Sequence, residues 1–321
     1  MLRTPILFII FNRIDTARRV FEAIRKAEPP RLYVACDGPR SDKEGERLAC
    51  QQTRSLVEEV DWPCQVRTFF LDENLGPSKG PYTFIKWFFQ QEEQGIILEH
   101  DCLPHPDFFP YCEELLDKYK ENTHIGAISG PNFIPNPQSP YSYTFTIYNH
   151  IWGWATWRRT IDAYTLDLSD VPADTLNVVL RRNFPSFRER AYWRTIFKQI
   201  RKKEIPTWDY YLTFCLWLND LLSISPTRNL VANIGFGEGA INTTDKDSPL
   251  ANRPVQSILP LVHNEEIKRN REEEAAYFSQ YIMEGKSSFR LYLKLVLKQL
   301  GVFDTFFRIK KALFGHVVNL K

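Results

Sequence analysis

The sequence has no Cys-x-x-Cys pair, no uninterrupted apolar stretch of about 20 residues and no large excess of either charge. Each absence removes a class of function. The six cysteines, Cys36, Cys50, Cys64, Cys102, Cys112 and Cys215, make no zinc spacing with the six histidines, and read as free thiols of a reducing compartment. The apolar run from Pro5 to Phe11 is too short to cross a bilayer, and no small-residue cleavage site follows it. Neither a secretion signal nor a membrane span is expected, and the expected location is the cytoplasm. Lys and Arg number 41 against 39 for Asp and Glu, a net charge of +2, which gives no general case for nucleic-acid binding. The phosphate-binding pattern G-x-x-x-x-G-K-[ST] is absent, which disfavours a P-loop hydrolase. There are no internal repeats.

What is present suits a folded chain. Its 321 residues allow one large domain, or one domain with an elaboration. Apolar residues make up 43% and charged residues 25%, ordinary for a globular protein. The aromatic share, 14%, is high, and serves sugar sites and cores equally well. The first half alternates strand and helix signals. Strands are expected over Ile6 to Phe11, Leu32 to Cys36, Gln65 to Leu71, Gly95 to Leu98 and Ile125 to Ser129. Between them, helices are expected from an Asp15 or Thr16 cap, over Asp42 to Val60, from Leu75-Gly76-Pro77 onward, and over Asp107 to Tyr119. Such alternation builds an α/β, mostly parallel sheet with helices on both faces. Ligands then bind at the carboxyl ends of the strands.

The second half is less regular. Pro131 to Pro140 reads as a loop, Tyr141 to His150 as an antiparallel strand, and Trp152 to Trp157 as an aromatic cluster around Gly153. Helices are expected over Thr175 to Arg182, Ser186 to Lys202 and Trp208 to Asn219, and a mobile loop over Gly235 to Gly239. In the tail, Phe289, Tyr292, Leu293, Val296, Leu297 and Leu300 form one helical stripe, with Arg290, Lys294 and Lys298 on another face. Such a segment lies on an anionic membrane surface or packs on its own domain.

Glu99-His100-Asp101 carries the chemistry. Along a strand Glu99 and Asp101 share a face and His100 points elsewhere. Two carboxylates at a strand end suit Mg2+ or Mn2+, which take one or two protein carboxylates and complete their shell with phosphates and water. Asn12-Arg13 follows the first strand, and a fixed guanidinium suits a diphosphate or a base carbonyl. Asp37-Gly38-Pro39 follows the second and also makes a good turn by itself.

The series Pro5-Ile-Leu-Phe-Ile-Ile-Phe-Asn-Arg13, Ala35-Cys-Asp-Gly38, Asn74-Leu-Gly76, the segment from Gly95 to Phe109, Trp152-Gly-Trp-Ala-Thr-Trp157 and Thr207-Trp-Asp-Tyr-Tyr211 occurs in this order. It resembles bacterial nucleotide-diphospho-sugar glycosyltransferases of the Rossmann-like GT-A fold, related to the N-acetylglucosaminyltransferase I type, over about residues 4 to 245. The resemblance implies a metal ligand at Asp101, with Mn2+ or Mg2+ as cofactor, and a donor contact at Glu99. His100 stands where related enzymes usually carry an acid. It implies nucleotide contacts at Asn12, Arg13 and Asp37, a closing loop at Asn74 and Gly76, and a phosphate contact at Lys79. It implies a base at Asp209, for which the alternative is the cap of the following helix. Trp152, Gly153, Trp154 and Trp208 would wall the acceptor and sugar. Related sequences often carry a histidine where Asn242 stands here.

The expected organisation is a GT-A domain over 1–250, a linker and helix over 251–286 and a basic amphipathic helical tail over 287–321. The expected function is transfer of a hexosyl or N-acetylhexosaminyl group, with inversion, from a UDP-linked sugar to a glycan or glycolipid hydroxyl in polysaccharide assembly. That places the enzyme in the cytoplasm, peripheral to the inner membrane face. A nucleotidyltransferase is the nearest rival enzyme; against it, no glycine-rich phosphate loop follows the first strand. The alternative of another class is an inactive sugar- or membrane-binding protein that kept the fold.

Overall fold

The computed structural model describes residues 2–134, 136, 139–237, 245 and 247–283. The tail over 287–321 and Asn242 lie outside the described residues, as does part of the loop expected over Gly235 to Gly239. In chain order the first elements are β1 (Ile6–Ile10), α1 (Ile14–Ala27), β2 (Arg31–Cys36), α2 (Glu46–Arg54) and β3 (Gln65–Phe70). Then come α3 (Gly76–Phe89), β4 (Gln94–Glu99), β5 (Cys102–Pro104), α4 (Phe108–Lys118) and β6 (Ile125–Ser129). The second half holds β7 (Tyr143–Thr146), β8 (Trp154–Trp157), α5 (Arg158–Asp162), α6 (Ala173–Asn183), α7 (Phe187–Arg201), α8 (Asp209–Leu218), β9 (Leu222–Pro226), β10 (Val231–Asn233) and α9 (Arg271–Tyr277).

Eight strands form one sheet in the order β3-β2-β1-β4-β8-β6-β9-β7. The half from β3 to β4 is wholly parallel, and β6 with β9 adds a fourth parallel pair. β8 runs antiparallel to both β4 and β6, and β7 runs antiparallel to β9. This is the mostly parallel α/β sheet expected from the alternation. β1 shows why the strand signals are continuous apolar runs: all five of its residues are buried, as in a strand covered on both faces. α1 supplies one cover, presenting Ala17, Val20, Phe21 and Ile24 at helical spacing, each at most 1% exposed.

The order of the strands creates the site. The chain runs outward from β1 to β2 and β3, then crosses back to β4 on the other side of β1. The carboxyl ends of β1 and β4 therefore border the crevice where the winding reverses, the usual ligand position in such sheets.

Some expectations are corrected. α1 begins at Ile14 with Arg13 as the cap residue, so Asp15 lies in the first turn rather than capping it. The single helix expected over Asp42 to Val60 is α2 followed by a tighter 3-10 turn, Ser55–Glu59, and α2 starts only after Gly45 at φ +77°. The cluster at Trp152 to Trp157 contains a sheet strand, β8.

The described residues divide into two compact units. One includes the residues up to Asp170 and Ile205–Glu274 and holds the sheet. The other gathers Val171–Glu204 with the described residues from Ala275 to Met283. Within it Ser186 caps α7 by a reciprocal pair with Glu189, and Phe184 stacks on Trp193 at 6.0 Å.

Candidate functional site

β1 and β4 are in register, with Ile9 opposite Glu99, and the His100 N–H donates to the Ile9 carbonyl at 2.9 Å. This bond fixes the turn that carries Glu99, His100 and Asp101 over the crevice. Glu99 is half-buried. Burial, then the charges of Asp101 and Asp209, push its carboxyl up to about 8. Burial pushes Asp209 up to about 6, against bonds from the Tyr210 N–H and its own. Burial first lowers His100, the Asp101 charge opposes this and Arg13 lowers it further.

Asp209 is the first residue of α8, not its cap residue, which is Trp208. The Thr207 hydroxyl donates to its carboxylate. The preceding backbone is held at two points: Tyr164 Oη donates to the Trp208 carbonyl at 2.9 Å, and Ser78 Oγ to the Thr207 carbonyl at 2.7 Å. Ser78 belongs to α3, so the segment leading into α8 is tied to the first turn of α3.

That loop is organised by Asp37. Its buried carboxylate accepts the N–H groups of Gly38 and Leu75, both at 2.8 Å, that of Gly76 at 3.0 Å, and Asn74 Nδ2 at 3.1 Å. Burial raises Asp37 above the ordinary carboxylate range while these bonds lower it. The turn-forming reading of Asp37 therefore rests on four bonds. Asn12 Nδ2 donates to Glu46 at 2.8 Å, and Glu46 also pairs with Arg40 at 2.5 Å. Arg13 Nη1 donates to the Gly235 carbonyl at 2.8 Å. Lys79 is exposed.

The aromatic wall is placed differently from expectation. Trp154 is 1% exposed, stacked on Trp208 at 6.0 Å, and Trp208 is itself buried. Both rings are core, because β8 lies between β4 and β6 inside the sheet. Trp152 is half-buried, with its ring edge-on to Phe133 at 5.2 Å and Phe236 at 5.8 Å, and is the ring of this group left with access. Gly153 has φ +70°, and a Cβ there would meet Val231 at 2.9 Å and Leu98 at 3.1 Å. Backbone conformation and packing require this glycine.

Glu99 and Asp101 offer hard carboxylate oxygens, the donor type Mg2+ and Mn2+ take. Among the described residues no group of three or more His, Cys, Asp or Glu could cage an ion. The donor set fits an ion that keeps phosphate and water ligands and does not fit an all-protein metal site. A separate cavity of about 610 Å3, lined in part by Tyr141, His263, Lys268 and Arg269, contains none of the expected site residues. Among the described residues no helix is long and apolar enough to cross a membrane. Sequence reasoning missed Thr207, Ser78 and Asn233 as supports, and took Gly235 only as a loop residue.

No protein-family model matches this chain, and no curated protein matches it. Solved structures similar to part of it include HddC from Yersinia pseudotuberculosis, with TM-score 0.33 and 11% identity over 53% of this chain and 86% of that one. Another is 4-diphosphocytidyl-2C-methyl-D-erythritol synthase from Anaerococcus prevotii, with TM-score 0.32 and 11% identity over 54% and 81%. A third is UDP-glucose pyrophosphorylase complexed with UDP-glucose, with TM-score 0.30 and 8% identity over 51% and 79%.

Proposed function

We propose that this chain is a metal-dependent glycosyltransferase that moves a sugar from a nucleoside diphosphate, UDP above all, to an acceptor hydroxyl with inversion. The observation that carries the reading is the placing of Glu99 at the end of β4 and Asp101 just after it, beside the crevice where the winding reverses, with Ile9 of β1 opposite Glu99. Two carboxylates at a strand end suit a cation that completes its shell with phosphate and water.

Asp101, with Glu99 beside it, would hold Mn2+ or Mg2+, which when bound neutralises charge on the departing diphosphate. Arg13, anchored on the Gly235 carbonyl, pairs with the diphosphate. Asp37 keeps the Asn74–Gly76 loop closed along the nucleotide. Asp209 takes the proton of the acceptor hydroxyl, whose oxygen then attacks the anomeric carbon. The bond from that carbon to the diphosphate oxygen breaks, and the diphosphate leaves with the electron pair. One displacement inverts the anomeric carbon. Trp152 offers an apolar ring face for a sugar. The acceptor is a glycan or glycolipid, presented at the inner membrane face if the basic tail docks there.

The test incubates the full chain with Mn2+ and a panel of nucleotide sugars and measures release of nucleoside diphosphate. The reading expects release with one donor class, lost in Asp101→Ala and Asp209→Asn. Release of pyrophosphate from a nucleoside triphosphate and sugar phosphate would replace it with nucleotidyl transfer.

A further inference from the structure

The Asp101 carboxylate lies against a glycine. β10 pairs antiparallel with β5, Asn233 opposite Cys102, and the pairing extends one step further: the Ile234 N–H donates to the Asp101 carbonyl at 2.8 Å. Gly235 comes next. A Cβ there would stand 2.1 Å from Asp101 Oδ2 and 2.7 Å from both its Cβ and its Cγ. Such distances are far inside van der Waals contact, so any side chain at this position claims the space the carboxylate fills. The backbone of Gly235 is held from both sides. Its N–H donates to Asn233 Oδ1 at 2.8 Å, and its carbonyl accepts Arg13 Nη1 at 2.8 Å. Gly237, two residues on, has φ +109°, whereas Gly235 is not among the positive-φ glycines. Conformational freedom is therefore not what position 235 demands; the missing Cβ is.

We infer that Gly235 is a positioning residue for Asp101: its bare Cα leaves the carboxylate room to face the cation, and Asn233 and Arg13 hold that Cα in place. The inference rests on the reading of Asp101 as a metal ligand. Turning the carboxylate moves Oδ2 and Cγ away from an added methyl but not the Asp101 Cβ, so full relief also shifts the backbone where β10 meets β5. Either movement takes an oxygen from the cation. Arg13 gains a second role, since the guanidinium that meets the diphosphate also anchors the glycine beside the metal ligand. Donor arrival and the placing of Asp101 are coupled through it.

The test is a titration of the full chain with Mn2+ in the presence of UDP, following the electron paramagnetic resonance signal of free Mn2+, beside metal-free thermal melts. Gly235→Ala is expected to weaken Mn2+ binding at least tenfold and, because the Asp101 Cβ is crowded as well, to lower the metal-free melting temperature. Asn233→Ala adds no atom to the site and only frees the Gly235 backbone; it is expected to weaken Mn2+ binding by a smaller factor. If Gly235→Ala fails to fold, Asn233→Ala decides. Wild-type binding of Mn2+ with unchanged affinity in the folded variants overturns the inference and leaves the metal reading intact. No Mn2+ binding by the wild type removes both.

Discussion

The Gly76 N–H donates to Asp37 Oδ2 at 3.0 Å, across 39 residues of chain, and thereby joins the end of β2 to the start of α3. With Leu75, Gly38 and Asn74 the same carboxylate completes four bonds in a buried position. Gly80 of α3 packs behind it, where an added Cβ would lie 3.0 Å from Oδ2. Asp37→Asn turns an NH2 toward at least one N–H donor and leaves it unpaired. The expected cost is on the order of 2–3 kcal/mol, the range for hydrogen bonds to a charged group. Chemical denaturation should show it as a lower midpoint with an unchanged slope. Affinity for UDP should fall with it, because the Asn74–Gly76 loop loses its anchor.

Asp209 acts as a base only when ionised, and burial raises its carboxyl to about 6. Below that value the ionised fraction, and kcat with it, is expected to drop about tenfold per pH unit. Asp209→Asn should lower kcat by roughly 10²–10⁴-fold, the range for a lost general base. UDP affinity should stay within a few-fold of wild type. A kcat that is flat from pH 5 to 8, on the order of one unit either side of the ordinary working range, would contradict this role.

Much of this was legible in the sequence, for a physical reason. Strands buried on both faces must be apolar throughout, so β1, β2 and β4 announced themselves within a residue of their ends. The turn residues that follow them, Arg13, Asp37 and Asp101, were named for the same cause. Short strands were not legible. β5 and β10 are three residues each and exist because they pair with one another, which no local pattern encodes. Trp154 and Trp208 misled because a ring that lines a sugar and a ring that fills a core look alike in sequence; only the position of β8 inside the sheet separates them. Gly235 looked like a loop glycine because its partner, Asp101, is 134 residues away in sequence and meets it only through the pairing of β10 with β5.

Glu273 offers a test of burial without catalysis. It accepts the Thr144 hydroxyl at 2.8 Å and Asn270 Nδ2 at 3.1 Å, and burial raises it from 4.5 to about 7. A carboxyl raised in the folded state holds its proton more tightly there than when unfolded. Stability from this group is therefore full below about pH 4.5 and declines as pH rises through about 7. Glu273→Gln is expected to stabilise the chain at pH 8 by on the order of 1–3 kcal/mol and to have little effect near pH 4. Melting temperatures at the two pH values check it; equal shifts at both would refute it.

The tail docks on anionic lipid or packs on its own domain, and Arg290, Lys294 and Lys298 decide between the two. With docking, the full chain should float with phosphatidylserine vesicles at low salt. The triple substitution of these residues by Glu should leave it in the soluble fraction. Equal flotation of both proteins would remove the membrane proposal and leave the enzyme proposal untouched.

A cation and a nucleoside diphosphate bound together at Asp101 are the core of the proposed reaction. A thermal-shift titration with UDP, with and without Mn2+, measures this, since a ligand that binds only the folded state raises its melting temperature by mass action. UDP and Mn2+ together are expected to raise the melting temperature of the wild type more than either alone, and Asp101→Ala is expected to lose this joint gain. No shift of the wild type with any nucleotide diphosphate, or an undiminished joint gain in Asp101→Ala, would contradict it.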